Sequence, residues 1–272
     1  MPQPFDASTK YLIEAQPADW LAYLGLPAAA VELIPADLST VTAAADKVLR
    51  VAAPAPWLAH LELQASRDRD LPERKLEYNV LLKRRHHLPV RSIVVLLRRE
   101  ADGPELTGLL EHWLPEEDWY LRFRYRVVRV WQKPVEEVLA GGLATLPLAP
   151  LSAVRKAALP GVIRRMAERV RREASPGDAA RLWTATYVLM GLRYQEAVIT
   201  QLLEGVREMR ESVTYQAILR EGREEEARAI LLRLGSKRFG PPAETARAAL
   251  ETATGIERLE RLSERLLDVE SW

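Results

Sequence analysis

Between Trp57 and Ser66 the chain reads WLAHLELQAS, and its polar and apolar positions alternate as in a half-buried strand. Trp57, Ala59, Leu61 and Leu63 share one face, and Leu58, His60, Glu62 and Gln64 share the other. ADKVLRVA, before it, is a second strand, separated from the first by the turn-rich APAP. VELIPADL is a weaker strand candidate, and two short helices, Asp6 to Glu14 and Ala18 to Leu24, precede it. From Leu71 to His86 a helix is predicted, with Leu76, Val80, Leu81 and Leu82 as its apolar stripe. VRSIVVLLR then forms a continuous apolar run, the mark of a strand covered on both faces. Strand, helix and strand in that order predict a crossover and a parallel pair. YLRFRYRVVRVWQ alternates apolar residues with Arg122, Arg124 and Arg126, and its phase slips at Val127–Val128, which predicts one strand with a bulge.

The character changes near Pro150. AGGLATLPLAPLS reads as a linker-like boundary, and everything after it carries helical periodicity. The last stretch reads as two or three short helices split by Gly235, Gly240–Pro242 and Gly255. The expectation is an α/β (α+β) region at 1–149, a helical region at 150–211 and a C-terminal helical domain at 212–272. Leu259, Leu262, Leu266 and Leu267 oppose Arg258, Arg261, Glu264 and Arg265, an amphipathic helix that packs on its neighbours or on a second subunit, giving a homo-oligomer through the helical half.

Composition narrows the function classes. The 272 residues are 48% hydrophobic and 28% charged, a globular balance, and the formal charge of +1 leaves any nucleic-acid contact to local basic patches. The absence of cysteine excludes disulfides, thiolate nucleophiles and Cys-ligated zinc. MPQPFDASTK has no secretory pattern and no apolar stretch reaches the length of a membrane span, so the expectation is a soluble, cytoplasmic protein without a membrane partner.

A hairpin loop symmetric about Pro54 sets Val51 opposite Trp57, Val48 opposite His60 and Asp46 opposite Glu62. Directly opposed residues place their Cβ atoms about 4.5–5.5 Å apart, and like charges there destabilise the sheet. A cation held between the two carboxylates relieves that repulsion. Hard divalent ions take such oxygens, and a water on the ion becomes a nucleophile for phosphodiester hydrolysis. Gln64 shares the face of Glu62 and is placed to orient that water. The plainer reading remains open: acids on strand faces are common, the register can slip by one residue, and Asp46 can simply end a turn.

Asp46 followed by Glu62-Leu63-Gln64 across a short hairpin, then a helix and a strand, resembles the PD-(D/E)XK nuclease core. In particular it resembles the recombination-promoting nuclease (Rpn) and transposase-like branch, where Glu-x-Gln often replaces Glu-x-Lys. FDASTK is similar to that branch's Asp-x-x-x-Lys at Asp6 and Lys10, and LPERKLEYNVLL to its Arg- and Tyr-bearing helix at Arg74 and Tyr78. The C-terminal REEEARAILLRLGSKRFGPP…LERLSERLLD is similar to a small helical domain appended to such proteins. The resemblance implies a restriction-endonuclease-like mixed sheet flanked by helices. It implies a Mg²⁺ or Mn²⁺ ion bound by Asp46 and Glu62, with the Leu63 carbonyl as a further ligand, and DNA as substrate. Asp46, Glu62 and Gln64 are then catalytic, while Lys10, Arg74 and Lys75 bind the backbone. Gln64 stands where a lysine is usual, and glutamine brings hydrogen bonds but no charge. That departure keeps a second reading in view, a catalytically lapsed nuclease fold serving as a DNA-binding or protein-interaction module. Lys47 and Lys10 are conceivable replacements for the charge, although Lys47 falls on the opposite face of its strand from Asp46.

Other features divide between chemistry and plain structure. Lys83, Arg84 and Arg85 suit a helix C-terminus as well as a phosphate. The Arg122, Arg124 and Arg126 ladder either tracks a backbone or keeps a strand edge from aggregating. His60 is a metal ligand or a hydrogen-bonded strand histidine, and His86 and His87 lack the spacing of a zinc site.

Overall fold

The computed structural model describes residues 4–26, 30–34, 47–52, 55–115, 119–204, 206, 213–253, 255–265 and 269. Residues 1–209 gather into one compact unit and residues 210–272 into a second.

In the first unit β1 (Val31–Ile34), β2 (Lys47–Val51), β3 (Trp57–Gln64), β4 (Val90–Leu96) and a strand at Arg126–Arg129 lie side by side in that order. β1, β2 and β3 are antiparallel neighbours, while β3, β4 and the last strand are parallel. The β2–β3 register sets Val51 opposite Trp57, Val48 opposite His60 and Lys47 opposite Leu61, the pairing expected from a loop centred on Pro54. Asp46, the next position, lies outside the described residues.

The parallel β3–β4 pair is joined through α3 (Leu71–His86), after α1 (Pro4–Ala15) and α2 (Pro17–Tyr23) have opened the chain. Pro72 sits in the first turn of α3, where its missing N–H costs nothing, and His87 ends the helix in the left-handed region with φ 55°. The buried stripe of α3 is Leu71, Lys75, Tyr78 and Leu82, whereas Val80 is 54% exposed. The helix is therefore turned relative to the stripe expected from its apolar residues. Leu82 packs with Val48 and Leu58, which covers the His60–Glu62 face of β3. β3 is consequently buried on both faces instead of half-buried.

The alternating run after Trp119 is not one bulged strand. β5 (Leu109–Trp113) and β6 (Trp119–Arg124) form a separate antiparallel pair, and β7 (Arg126–Arg129) joins the main sheet beside β4. The break falls at Tyr125, whose N–H donates to the Gly108 carbonyl and whose hydroxyl donates to the Glu105 carbonyl. Its ring is buried with Leu71, Val94, Leu96, Leu106 and Trp131. Burial of one large residue at the corner moves the chain from one sheet to the other.

After α4 (Val135–Ala140), residues 144–151 of the segment expected to be a linker form buried 3₁₀ turns. They pack against α1, α2, α5 (Leu159–Glu173) and α6 (Pro176–Met190), and α7 (Glu196–Leu203) completes the described helices of this unit. Proline removes backbone donors, and these prolines mark tight turns inside the core rather than a solvated connection.

In the second unit α8 (Val213–Phe239) runs through Gly235 without a break, and α9 (Glu244–Glu251) and α10 (Ile256–Arg265) follow. Gly235 is buried inside α8, where a glycine weakens a helix without preventing its hydrogen bonds. Gly240 and Gly255 do take positive φ, at 82° and 90°, and these are the turning points. Leu231, Ala253 and Leu259 form the core, with Leu262 against it. Among the described residues no helix is long and apolar enough to cross a membrane.

Leu61 is fully buried at the centre of β3. Leu61→Ala is expected to lower the stability of the first unit by about 2–5 kcal/mol, read from the urea midpoint by tryptophan fluorescence.

Candidate functional site

β3 lies between β2 and β4, so a polar side chain on its α3 face has no water to meet. Glu62 is 2% exposed, and its charge must be answered by protein groups. Two cations from the first turns of α3 do so. Arg74 Nη2 donates to Glu62 Oε1 at 2.5 Å, and its Nη1 donates to Asp68 Oδ2 at 2.5 Å. Lys75, completely buried, holds its Nζ 3.1 Å from Glu62 Oε2. That contact is one of charge: among the described residues Oε2 receives no hydrogen bond of good direction. The charges alternate along Lys75, Glu62, Arg74 and Asp68. Burial opposes the Arg74 charge, but Glu62 and Asp68 outweigh it and hold the guanidinium protonated beyond its ordinary range.

Gln64 lies two residues beyond Glu62 on the same face, and its Nε2 donates to Glu62 Oε1 at 2.6 Å. The amide thus orients the carboxylate. His60, on that face too, is fully buried with Nε2 3.1 Å and Nδ1 3.4 Å from Lys75 Nζ, and its ring meets Tyr78 edge-on at 5.4 Å. The histidine is a companion of the buried lysine.

The structure therefore brings Glu62, Gln64, Arg74 and Lys75 together. Lys75 is turned inward as a counter-ion, not outward toward a substrate. Arg74 is partly open to solvent. Lys10 is half-buried on α1, which packs against α6, and among the described residues no hydrogen bond or ion pair joins it to the cluster. Lys47 forms an ion pair with Glu14 of α1 and faces away from Glu62. The role of Lys75 had a sequence signal: it lies four residues after Leu71 and three before Tyr78, inside the buried stripe.

Among the described residues no three His, Asp, Glu or Cys side chains gather into a group able to hold a metal ion. Glu62 is a single carboxylate already matched by two cations, so these residues by themselves do not fit a divalent ion. Compared with known protein families, curated proteins and solved structures, the chain matches none.

Beyond the end of β3, Arg67 forms a two-pronged pair with Glu105, with both N···O distances 2.8 Å. Hydrogen bonding to Arg67 holds the Glu105 carboxyl down at about 2.

Two predictions follow from these ion pairs. Breaking a buried pair costs about 3–5 kcal/mol, and Arg74 remains in Lys75→Met, so a loss near the lower end is expected in urea unfolding. The double variant Lys75→Met with Glu62→Gln is expected to recover most of it. The Glu105 carboxyl is depressed on folding, so its stabilisation is complete above the ordinary carboxylate range and disappears as pH falls toward 2. Thermal melts across that range should show a smaller acid-induced loss in Arg67→Ala than in the unaltered chain.

Proposed function

We propose that the sheet-bearing unit is a metal-dependent DNA endonuclease of the recombination-promoting, transposase-like type, hydrolysing phosphodiester bonds on a restriction-endonuclease-like core. The observation that carries this reading is the buried cluster of Glu62, Gln64, Arg74 and Lys75. Taking an ion out of water costs several kcal/mol, and side chains held this way concentrate at functional sites. The element order supports it too: an antiparallel β2–β3 pair, a crossing helix and a parallel β4, with the Glu-x-Gln pair on the central strand.

In this reading Lys75 brings the positive charge that Gln64 lacks. Its Nζ lies against Glu62 Oε2, and Gln64 fixes the direction of Oε1. Arg74, open on one side, contacts a backbone phosphate. Mg²⁺ or Mn²⁺ is the cofactor the reading calls for, with Asp46 supplying the second carboxylate. Self-association through the helical C-terminal half is part of the proposal, and Leu234 of α8 is an exposed apolar side chain there.

A second reading is favoured by one observation: Glu62 is already neutralised by Arg74 and Lys75. A lapsed nuclease fold that binds DNA or protein without cutting needs no more than that. Plasmid nicking separates the two. The endonuclease requires relaxation of supercoiled DNA with Mg²⁺ or Mn²⁺, abolished in Asp46→Ala and in Glu62→Gln. Intact DNA under every metal condition, with DNA retardation in gels that ignores chelator, would leave the binding module.

A further inference from the structure

A second charged cluster lies at the opposite end of the parallel strands. β7 pairs with β4 from Ile93 onward, so Val90, Arg91 and Ser92 extend past the start of β7. The cavity beside them, about 290 Å³, is lined by Leu26, Arg91, Ser92, Arg124 and Arg126 among others. Its three arginines come from β4, from the end of β6 and from the start of β7. The turn at Tyr125 that carries the chain between the sheets is what gathers them.

Each arginine is exposed, and none of the lining side chains is acidic. Arg91 stacks over Trp57, with its guanidinium carbon 4.7 Å from the ring centre, which fixes its plane. Arg126 is anchored through Nη1 on the Leu24 carbonyl. Arg124 has no acidic partner among the described residues. Ser92 pairs with His60 and its Oγ accepts from Asn79 Nδ2 at 3.0 Å, so its side chain turns to the α3 face and the arginines alone supply donors to the cavity. Guanidinium forks match the oxygens of a phosphate in geometry as well as charge. Like charges brought together without an acid between them repel, and an anion removes that repulsion.

We propose that Arg91, Arg124 and Arg126 form a binding site for a phosphate group. This site stands without the endonuclease reading: Arg91 pairs with Ala59 of β3, three positions and about 10 Å before the residue opposite Glu62. The phosphate belongs either to a DNA backbone or to a small phosphorylated metabolite, two sources with one chemistry.

The test is calorimetric titration of the full chain with inorganic phosphate, with a nucleoside monophosphate and with duplex DNA at low ionic strength. Binding of phosphate is expected, weakened about tenfold or more in Arg124→Ala and less in Arg124→Lys, with unchanged circular dichroism. Binding of the nucleotide but not the duplex supports the site with a small metabolite as its source. Binding of the duplex with the same Arg124 dependence supports it with a backbone phosphate. No binding of any of the three ligands overturns the proposal, as does affinity that is equal in the unaltered chain and Arg124→Ala. Loss of nicking in Asp46→Ala has no bearing on this outcome.

Discussion

A carboxylate on the central strand of a sheet, roofed by a helix, is the constraint to which the sheet-bearing unit answers. Glu62 cannot reach water, and leaving a buried charge unpaired would cost more than most single interactions contribute. The helix that covers it must therefore present cations at one height along its axis. Arg74 and Lys75 do this from neighbouring positions, one from the rim and one from beneath. The rotation of α3 follows: Lys75 faces the sheet, Tyr78 and Leu82 follow it inward, and the apolar Val80 is left at the surface.

Much of the surrounding architecture serves to hold that helix in place. Pro72 and the left-handed His87 set its two ends. Asn79 ties its middle to β4 through the Val90 carbonyl and the Ser92 hydroxyl. Asp68 in the preceding loop takes the second nitrogen of Arg74, and Arg98 donates to the Ala65 carbonyl just past β3. These bonds connect the loop, the helix and two strands around one carboxylate. Gln64 adds a neutral donor to it, whereas a lysine at that position would place a third cation against a single charge.

The formal balance of +1 hides strong local differences. At one end of the parallel strands, acids and bases alternate and cancel. At the other, three arginines meet around a cavity with no acid in its lining. The first arrangement holds one buried carboxylate in a fixed direction, and the second leaves unmatched donors at the surface. A ladder of Arg122, Arg124 and Arg126 along one strand would have offered a single row. The corner at Tyr125 divides it, leaving Arg122 beside Glu111 and turning Arg124 and Arg126 toward Arg91.

Local pattern was enough for the elements whose periodicity is strong and uninterrupted. The bounds of α3, the antiparallel register of β2 and β3 and the parallel order of β3 and β4 were all legible, because alternation and turn position leave few pairings that bury the apolar residues. Glu62 and Gln64 were legible as neighbours on one face for the same reason, while Asp46 lies outside the described residues. Tertiary packing alone decided the rest. Whether a polar strand face meets water depends on what is laid over it, so the burial of Glu62 and the inward turn of Lys75 have no local signature beyond spacing. A proline-rich segment becomes core, a glycine stays within a helix and a continuous alternating run splits between two sheets because distant residues supply the contacts. Short-range periodicity measures what each segment can bury; which surface it buries against is settled by the whole chain.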